Sequence, residues 1–311
     1  MGFGSHHWLA VDSAGLKLFA TVDDLNEKLH DDADTTNAVF GRLDQAFRSA
    51  LSLRRDAGLE FVLAPLPDTG RRVLCRLTDR YSLVVHPFLA HSQSGQDGEF
   101  ETSADRYALV ALLARLHSAQ ATRPPADDFE IGGRHALLAA MDSTGEPWQA
   151  GPYGTRTRDL LARNAADLGA LLAVFDELVR RVRTRGDRMV ITHGGPDAGN
   201  VLRTPTGLVV VDWESALLAP PERDLWALAE ADPGVLDAYT AATGIAVDTD
   251  ALALHRMMYD LAEISQYVRW FRGAHDDTAD AAEGWQNLQH FLRPAQRWPD
   301  QLGRGTPNRP Q

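Results

Sequence analysis

The sequence predicts an α+β protein with a small N-terminal lobe of strands and one helix, followed by a larger, mainly helical C-terminal lobe. Three observations carry this. Short apolar runs of strand length flank a single helical periodicity within the first 89 residues. From residue 103 onward apolar positions recur mostly at helix spacing. Finally, 311 residues, 44% of them hydrophobic, suffice for a large core that divides in two. The expected boundaries are 1–89, 90–300 and a disordered tail over 301–311.

Taken in order, GFGS opens the chain as a glycine-rich turn before a hairpin of strands 8–11 and 16–22 joined by DSAG. A helix over 36–57 puts Val39, Leu43, Ala46, Phe47, Ala50 and Leu51 on one face and ends at Gly58. Segments 61–66, 73–77 and 82–88 continue the sheet, with Cys75 at a core position of RVLCRL. After the polar loop HSQSGQDGEFETS comes a helix over 103–119, in which His117 reads as a packed histidine. Helices over 134–141 and 155–184 follow, the second with its arginines on a solvated face. Strands 189–192 and 208–211 flank a loop. Two further helices, PGVLDAYTAATG and ALALHRMMYDLAEISQYVRWF, turn Leu252, Met258, Leu261 and Ile264 inward, and DDTAD reads as an acidic loop.

Composition narrows the function. The formal charge of −12 disfavours nucleic acid and suits a cationic small molecule. No apolar run reaches the roughly 18 residues of a membrane span, and no basic start precedes an apolar stretch. A single cysteine agrees with a reducing, cytoplasmic setting. Only two lysines, Lys17 and Lys28, stand among the 31 basic residues.

The chemistry concentrates in MVITHGGPDAGNVLRTPTGLVVVDWE, residues 189–214. A carboxylate and an amide oxygen on neighbouring loops can share Mg²⁺, a cation that prefers oxygen ligands and keeps substrate phosphates in its shell. By strand alternation Asp212 and Glu214 share a face and Trp213 points the other way.

This stretch resembles the catalytic centre of the aminoglycoside phosphotransferases and related kinase-like small-molecule kinases, whose loop H-G-D-x-x-x-x-N precedes a strand ending in D-x-[DE]. Here the loop is HGGPDAGN, from His193 to Asn200, and the strand ending is DWE. The resemblance covers most of residues 2–230 and implies a bilobal protein-kinase-like fold. It implies ATP or GTP with Mg²⁺ as cofactors, and transfer of the γ-phosphate to a hydroxyl of a small metabolite or antibiotic. Asn200 and Asp212 then resemble the metal ligands, Glu214 an accessory one, His193 a catalytic-loop residue and Asp224 the buried acid that braces the loop. LLARLHS resembles the helix before the loop, and SLVVHPFLA the hinge, where backbone at His86, Phe88 and Leu89 meets the purine. Gly2, Gly4 and Ser5 resemble the phosphate-approaching glycine loop, with His6 and His7 beside it.

Three departures stand out. The base position, third in the loop, is Gly195, which cannot accept a proton; Asp197, two residues on, either takes that role or caps the turn. Thr21 stands where the family's strand carries its phosphate-gripping lysine, leaving Lys17 or Lys28 to reach in, and Asp44 lies near where the family offers that lysine an acid. The chain begins at the glycine loop, so the strand entering it is absent or short, as in a truncated start. In related kinases C-terminal helices wall the acceptor site, which makes Asp260, Glu263, Tyr267 and Trp270 the candidate substrate residues. A kinase-like binder without transfer is the alternative reading, with a small hydroxyl compound, and neither nucleic acid nor membrane, as partner.

Overall fold

A computed structural model describes residues 5–31, 33–89, 102–197 and 199–303. Strands β1 (Ser5–Val11) and β2 (Lys17–Asp24) form an antiparallel hairpin in which Trp8 faces Ala20. Its turn is built by Asp12, whose Oδ1 accepts the amides of Ala14 (2.9 Å) and Leu16 (2.8 Å), and by Gly15 at φ 82°. The Thr35 hydroxyl accepts the Ala38 amide at 3.2 Å and starts helix α1 (Thr36–Arg55). Strands β3 (Leu74–Arg76) and β4 (Tyr81–Pro87) complete a sheet of order β1-β2-β4-β3. Val39, Leu43 and Phe47 of α1 pack with Leu25, Val73, Leu74 and Val84 in a small core.

Segment 61–66, expected as a strand of this sheet, is not one. Pro65 and Pro67 interrupt the donor row. The Leu63 amide donates to the Val210 carbonyl (2.9 Å) and the Val210 amide to the Phe61 carbonyl (2.7 Å), while the Leu66 amide reaches the Val85 carbonyl of β4 (2.7 Å), so the segment touches the sheet at its last residue without forming a strand of it. The expected glycine loop, Gly2 and Gly4, the greater part of the polar loop after Leu89 and the tail from residue 304 lie outside the described residues.

Helices α2 (Ser103–His117), α3 (Arg134–Asp142) and α4 (Gly154–Arg183) lead to four short strands. Of these, β5 (Val190–Thr192) pairs with β8 (Leu217–Ala219), and β6 (Val201–Thr204) pairs with β7 (Gly207–Val210), both antiparallel. Helices α5 (Glu222–Ala231), α6 (Gly234–Thr243), α7 (Thr249–Arg272), α8 (Ala279–Phe291) and α9 (Pro294–Arg297) follow, so DDTAD runs directly into a helix capped by Thr278.

Contacts group the chain into two compact units, Met1–Asp128 with Gly186–Leu252 and Phe129–Arg185 with Ala253–Gln311. In the first, Leu53 and Phe61 share a core with Leu109 and Leu113 of α2, Val210, Trp213, Leu225 and Tyr239. In the second, α3 packs on α4 and α4 on α9, with Leu137, Leu168, Phe175, Leu261 and Phe271 buried. Among the described residues no helix is long and apolar enough to cross a membrane.

Candidate active site

The loop from His193 to Asn200 is held from beneath by one acid. Asp224, fully buried in the first turn of α5, accepts the amides of His193 (2.8 Å) and Gly194 (2.6 Å) and lies 3.1 Å from Nε2 of His117. Burial works to raise this carboxyl, but the His117 hydrogen bond and the Arg223 charge hold it below the usual range. Arg223 packs against Gly194, whose φ of 100° leaves no room for a side chain, and donates to the Thr192 hydroxyl (3.0 Å) and the Ser215 carbonyl (2.9 Å).

His193 is a brace. Its Nε2 donates to the Val211 carbonyl at 2.7 Å, its Nδ1 accepts the Gly195 amide at 3.3 Å, and burial lowers its pKa, so the ring is neutral with both nitrogens engaged. Trp213 meets it edge-on at 4.8 Å. The geometry leaves His193 no proton-transfer role at an acceptor.

Asn200 and Asp212 both lie at the open end of the β6–β7 hairpin. Val201 pairs with Val210, and the Val211 amide donates to the Asn200 carbonyl at 2.9 Å, so the two candidate ligands flank one ladder bond. The Asn200 Nδ2 donates to the Gly195 carbonyl (2.9 Å), while its Oδ1 has no hydrogen-bond partner among the described residues. Asp212 adopts the left-handed conformation, φ 62° and ψ 62°, which is costly for a residue with a Cβ and is found where function requires it. Strand β7 ends at Val210, and residues Trp213–Ser215 form a 3-10 turn. The turn therefore buries Trp213 and directs the two acids; the expected strand alternation does not apply. Although Asp212 as a residue keeps contact with solvent, chain crowding around its carboxyl and the Glu214 charge hold its pKa up at about 6, against the pull of Lys28.

Hard oxygen donors with an excess of negative charge fit Mg²⁺. Among the described residues no three His, Cys, Asp or Glu side chains converge to hold a metal unaided. Glu214 is differently occupied: both its oxygens lie on the Lys28 ammonium, at 2.7 and 2.6 Å.

The other candidates separate clearly. Gly195 would accommodate a Cβ with only Asn200 Nδ2 at 3.6 Å. Asp197 is exposed; its Oδ1 accepts the amides of Gly199 (2.8 Å) and Asn200 (3.3 Å), leaving Oδ2 without a partner among the described residues. Lys17 is exposed, 5.7 Å from the centre of the Phe88 ring, and Asp44 pairs on the helix surface with Arg48. The Ser5 hydroxyl donates to Asp23 at 2.7 Å. The His86 ring is buried beside Phe47, and burial lowers its pKa to about 4, so any nucleobase contact here falls to backbone. The Phe88 amide makes a long bond to the Lys17 carbonyl, 3.4 Å.

In the second unit, Asp260 is not available to an acceptor. Arg297 donates to both its oxygens (2.8 and 2.7 Å) and Trp298 Nε1 to one (2.8 Å), deep in the core. Tyr267 is buried and accepts from Asn287 at 3.1 Å, and Trp270 stacks on Phe271 at 5.0 Å. Burial raises the half-buried Glu263, which Tyr267 partly offsets. Asp23 and Arg223 were missed; only their positions beside Lys28 and Asp224 gave any signal.

Comparison with known proteins gives the family and the fold. The model of the phosphotransferase enzyme family, APH, matches residues 62–257. Protein StrN of Streptomyces griseus is 31% identical over 265 residues, covering 81% of this chain and 77% of that relative. Spectinomycin phosphotransferase APH(9)-Ia, solved with ADP and spectinomycin, gives a TM-score of 0.70 at 17% identity over 97% of this chain and 92% of its own. Choline kinase LicA from Streptococcus pneumoniae gives 0.54 at 17% identity over 92% and 89%. The two solved structures share the fold, a small antiparallel sheet followed by a mainly helical part. A family match over more than half of the sequence, together with the StrN relationship, means that the chain belongs to the phosphotransferase enzyme family.

Proposed function

We propose that the protein transfers the γ-phosphate of ATP or GTP to a hydroxyl of a small metabolite or antibiotic, such as an aminoglycoside-like compound. The observation that supports this best is that Asn200, whose Oδ1 has no hydrogen-bond partner among the described residues, and Asp212 stand at the same end of one hairpin. Asn200 and Asp212 would hold Mg²⁺, which when bound neutralises charge on the transferring phosphate. The remaining work is positioning, and Asp224, His193 and Arg223 fix the loop for it. The likeness to kinases solved with ADP or spectinomycin supports a nucleotide and a small acceptor. The acidic surface, −12 overall, favours an acceptor bearing amino groups.

The base is Asp197, acting through Oδ2 while Oδ1 keeps the turn. Asp197→Asn tests this cleanly, because its amide oxygen still accepts the Gly199 amide. We expect kcat to fall about a hundredfold with folding unchanged. Unaltered turnover would make Asp197 a cap alone.

A second reading, a binder without transfer, draws on Gly195. A Cβ at Gly195 would meet only Asn200 Nδ2, at 3.6 Å, so the backbone there tolerates a side chain and Gly195→Asp is a fair probe. Activity arising only in that variant would establish the parent as a binder.

A further inference from the structure

The two lysines have opposite surroundings. Lys17 is exposed on β2. The Lys28 side chain is only 13% exposed, in the turn after β2, and reaches across to the 3-10 turn that follows Asp212. Its Nζ lies 2.7 and 2.6 Å from the Glu214 oxygens and 3.4 Å from Oδ1 of Asp23. The two carboxylates differ in one decisive respect. Asp23 is fully buried near the end of β2, fixed further by the Ser5 hydroxyl, and its Oδ2 has no partner among the described residues. The Glu214 side chain is 32% exposed.

Resting on the phosphotransferase reading above, we propose that Lys28 is the cation that meets the nucleotide's phosphates, that Asp23 is its positioning residue, and that Glu214 is a place-holder which Lys28 leaves when phosphate arrives. A triphosphate entering a site with Asp23, Asp212 and Glu214 adds negative charge to negative charge, and the ammonium must be freed to receive it. Solvent access decides which acid lets go. Glu214 rehydrates on release, whereas Asp23 has no route to water and would remain a buried unpaired charge. Asp23 therefore keeps the ammonium at the site while its contact on the other side changes from carboxylate to phosphate oxygen. The family's strand lysine is replaced here, at Thr21, by a lysine from the following turn.

The test is calorimetric binding of ATP and GTP with Mg²⁺, and of adenosine and guanosine, to the full chain. Lys28→Met should weaken the triphosphate about tenfold to hundredfold and leave the nucleoside unchanged, with Lys28→Arg recovering part. Asp23→Asn should weaken the triphosphate similarly and add little to Lys28→Met in the double variant. Glu214→Gln should tighten triphosphate binding. Equal losses for nucleoside and triphosphate, additive Asp23 and Lys28 effects, or weaker binding by Glu214→Gln would overturn the assignment. Binding of a triphosphate that ignores Lys28→Met overturns it alone; absence of any triphosphate binding by the unsubstituted chain overturns the phosphotransferase reading as well.

Discussion

At Asp224 one carboxylate joins α5, α2 and the loop after β5, and its ionisation carries a stability signature. Its folded pKa lies below the ordinary 3.8, so the stabilisation is complete above that value and is lost as pH falls through the folded one. Asp224→Asn should cost about 3–5 kcal/mol at pH 7, since it leaves two amides and His117 poorly matched. Urea denaturation at pH 7 and near pH 3 checks both, because the variant should lose less than the parent on acidification. The bracing position of Asp224 was readable because its spacing from the loop is a motif. The Lys28–Glu214 pair was not, since 186 residues separate its members and nothing local marks either. Asp260 misled for the same reason: its partner Arg297 lies 37 residues on, and a carboxylate on an amphipathic helix looks alike whether it faces a ligand or an arginine.

Among the elements, those with strong local signals were legible. α1 was expected over 36–57 and runs Thr36–Arg55, because Thr35 caps one end and Gly58, at φ 67°, follows the other. Thr35→Ala should lower stability by about 1 kcal/mol, measured as a shift in melting temperature. Segment 61–66 was misread, since an apolar run says nothing about which neighbour takes its amides. The 3-10 turn at Trp213–Ser215 was hidden too, because Asp212 leaves the strand conformation where only φ, not residue type, records it. The sheet also makes a pH prediction through His86 on β4. Burial lowers its pKa from 6.5 to about 4, so the unfolded chain binds the extra proton first. Stability should fall as pH drops from 6.5 towards 4, by at most about 3 kcal/mol from this group, and level off below. His86→Phe should flatten that part of the melting-temperature profile.

At the scale of the whole molecule, the α+β class was legible from the change of periodicity near residue 100, and the structure follows it. Grouping by contact was less so. Helix α2, the four short strands, α5 and α6 belong with the N-terminal segments in one unit, a consequence of Leu109, Leu113 and Trp213 packing with α1 that no linear reading supplies. Helices α8 and α9 were likewise absent from the reading: the buried positions of α8 are the small Ala281 and Gly284 with Leu288, and α9 is a single turn of four residues.

The central claim is that Asn200 and Asp212 serve magnesium-dependent phosphate transfer to a small hydroxyl compound. Mass spectrometry of a panel of aminoglycoside-like and related hydroxyl compounds, incubated with the protein, Mg²⁺ and ATP or GTP, tests it most directly. An acceptor should gain one phosphate, and Asp212→Asn, which tolerates the left-handed backbone while removing the charge, should abolish the gain. Transfer undiminished in Asp212→Asn, or nucleotide bound with no compound ever phosphorylated, would contradict the account.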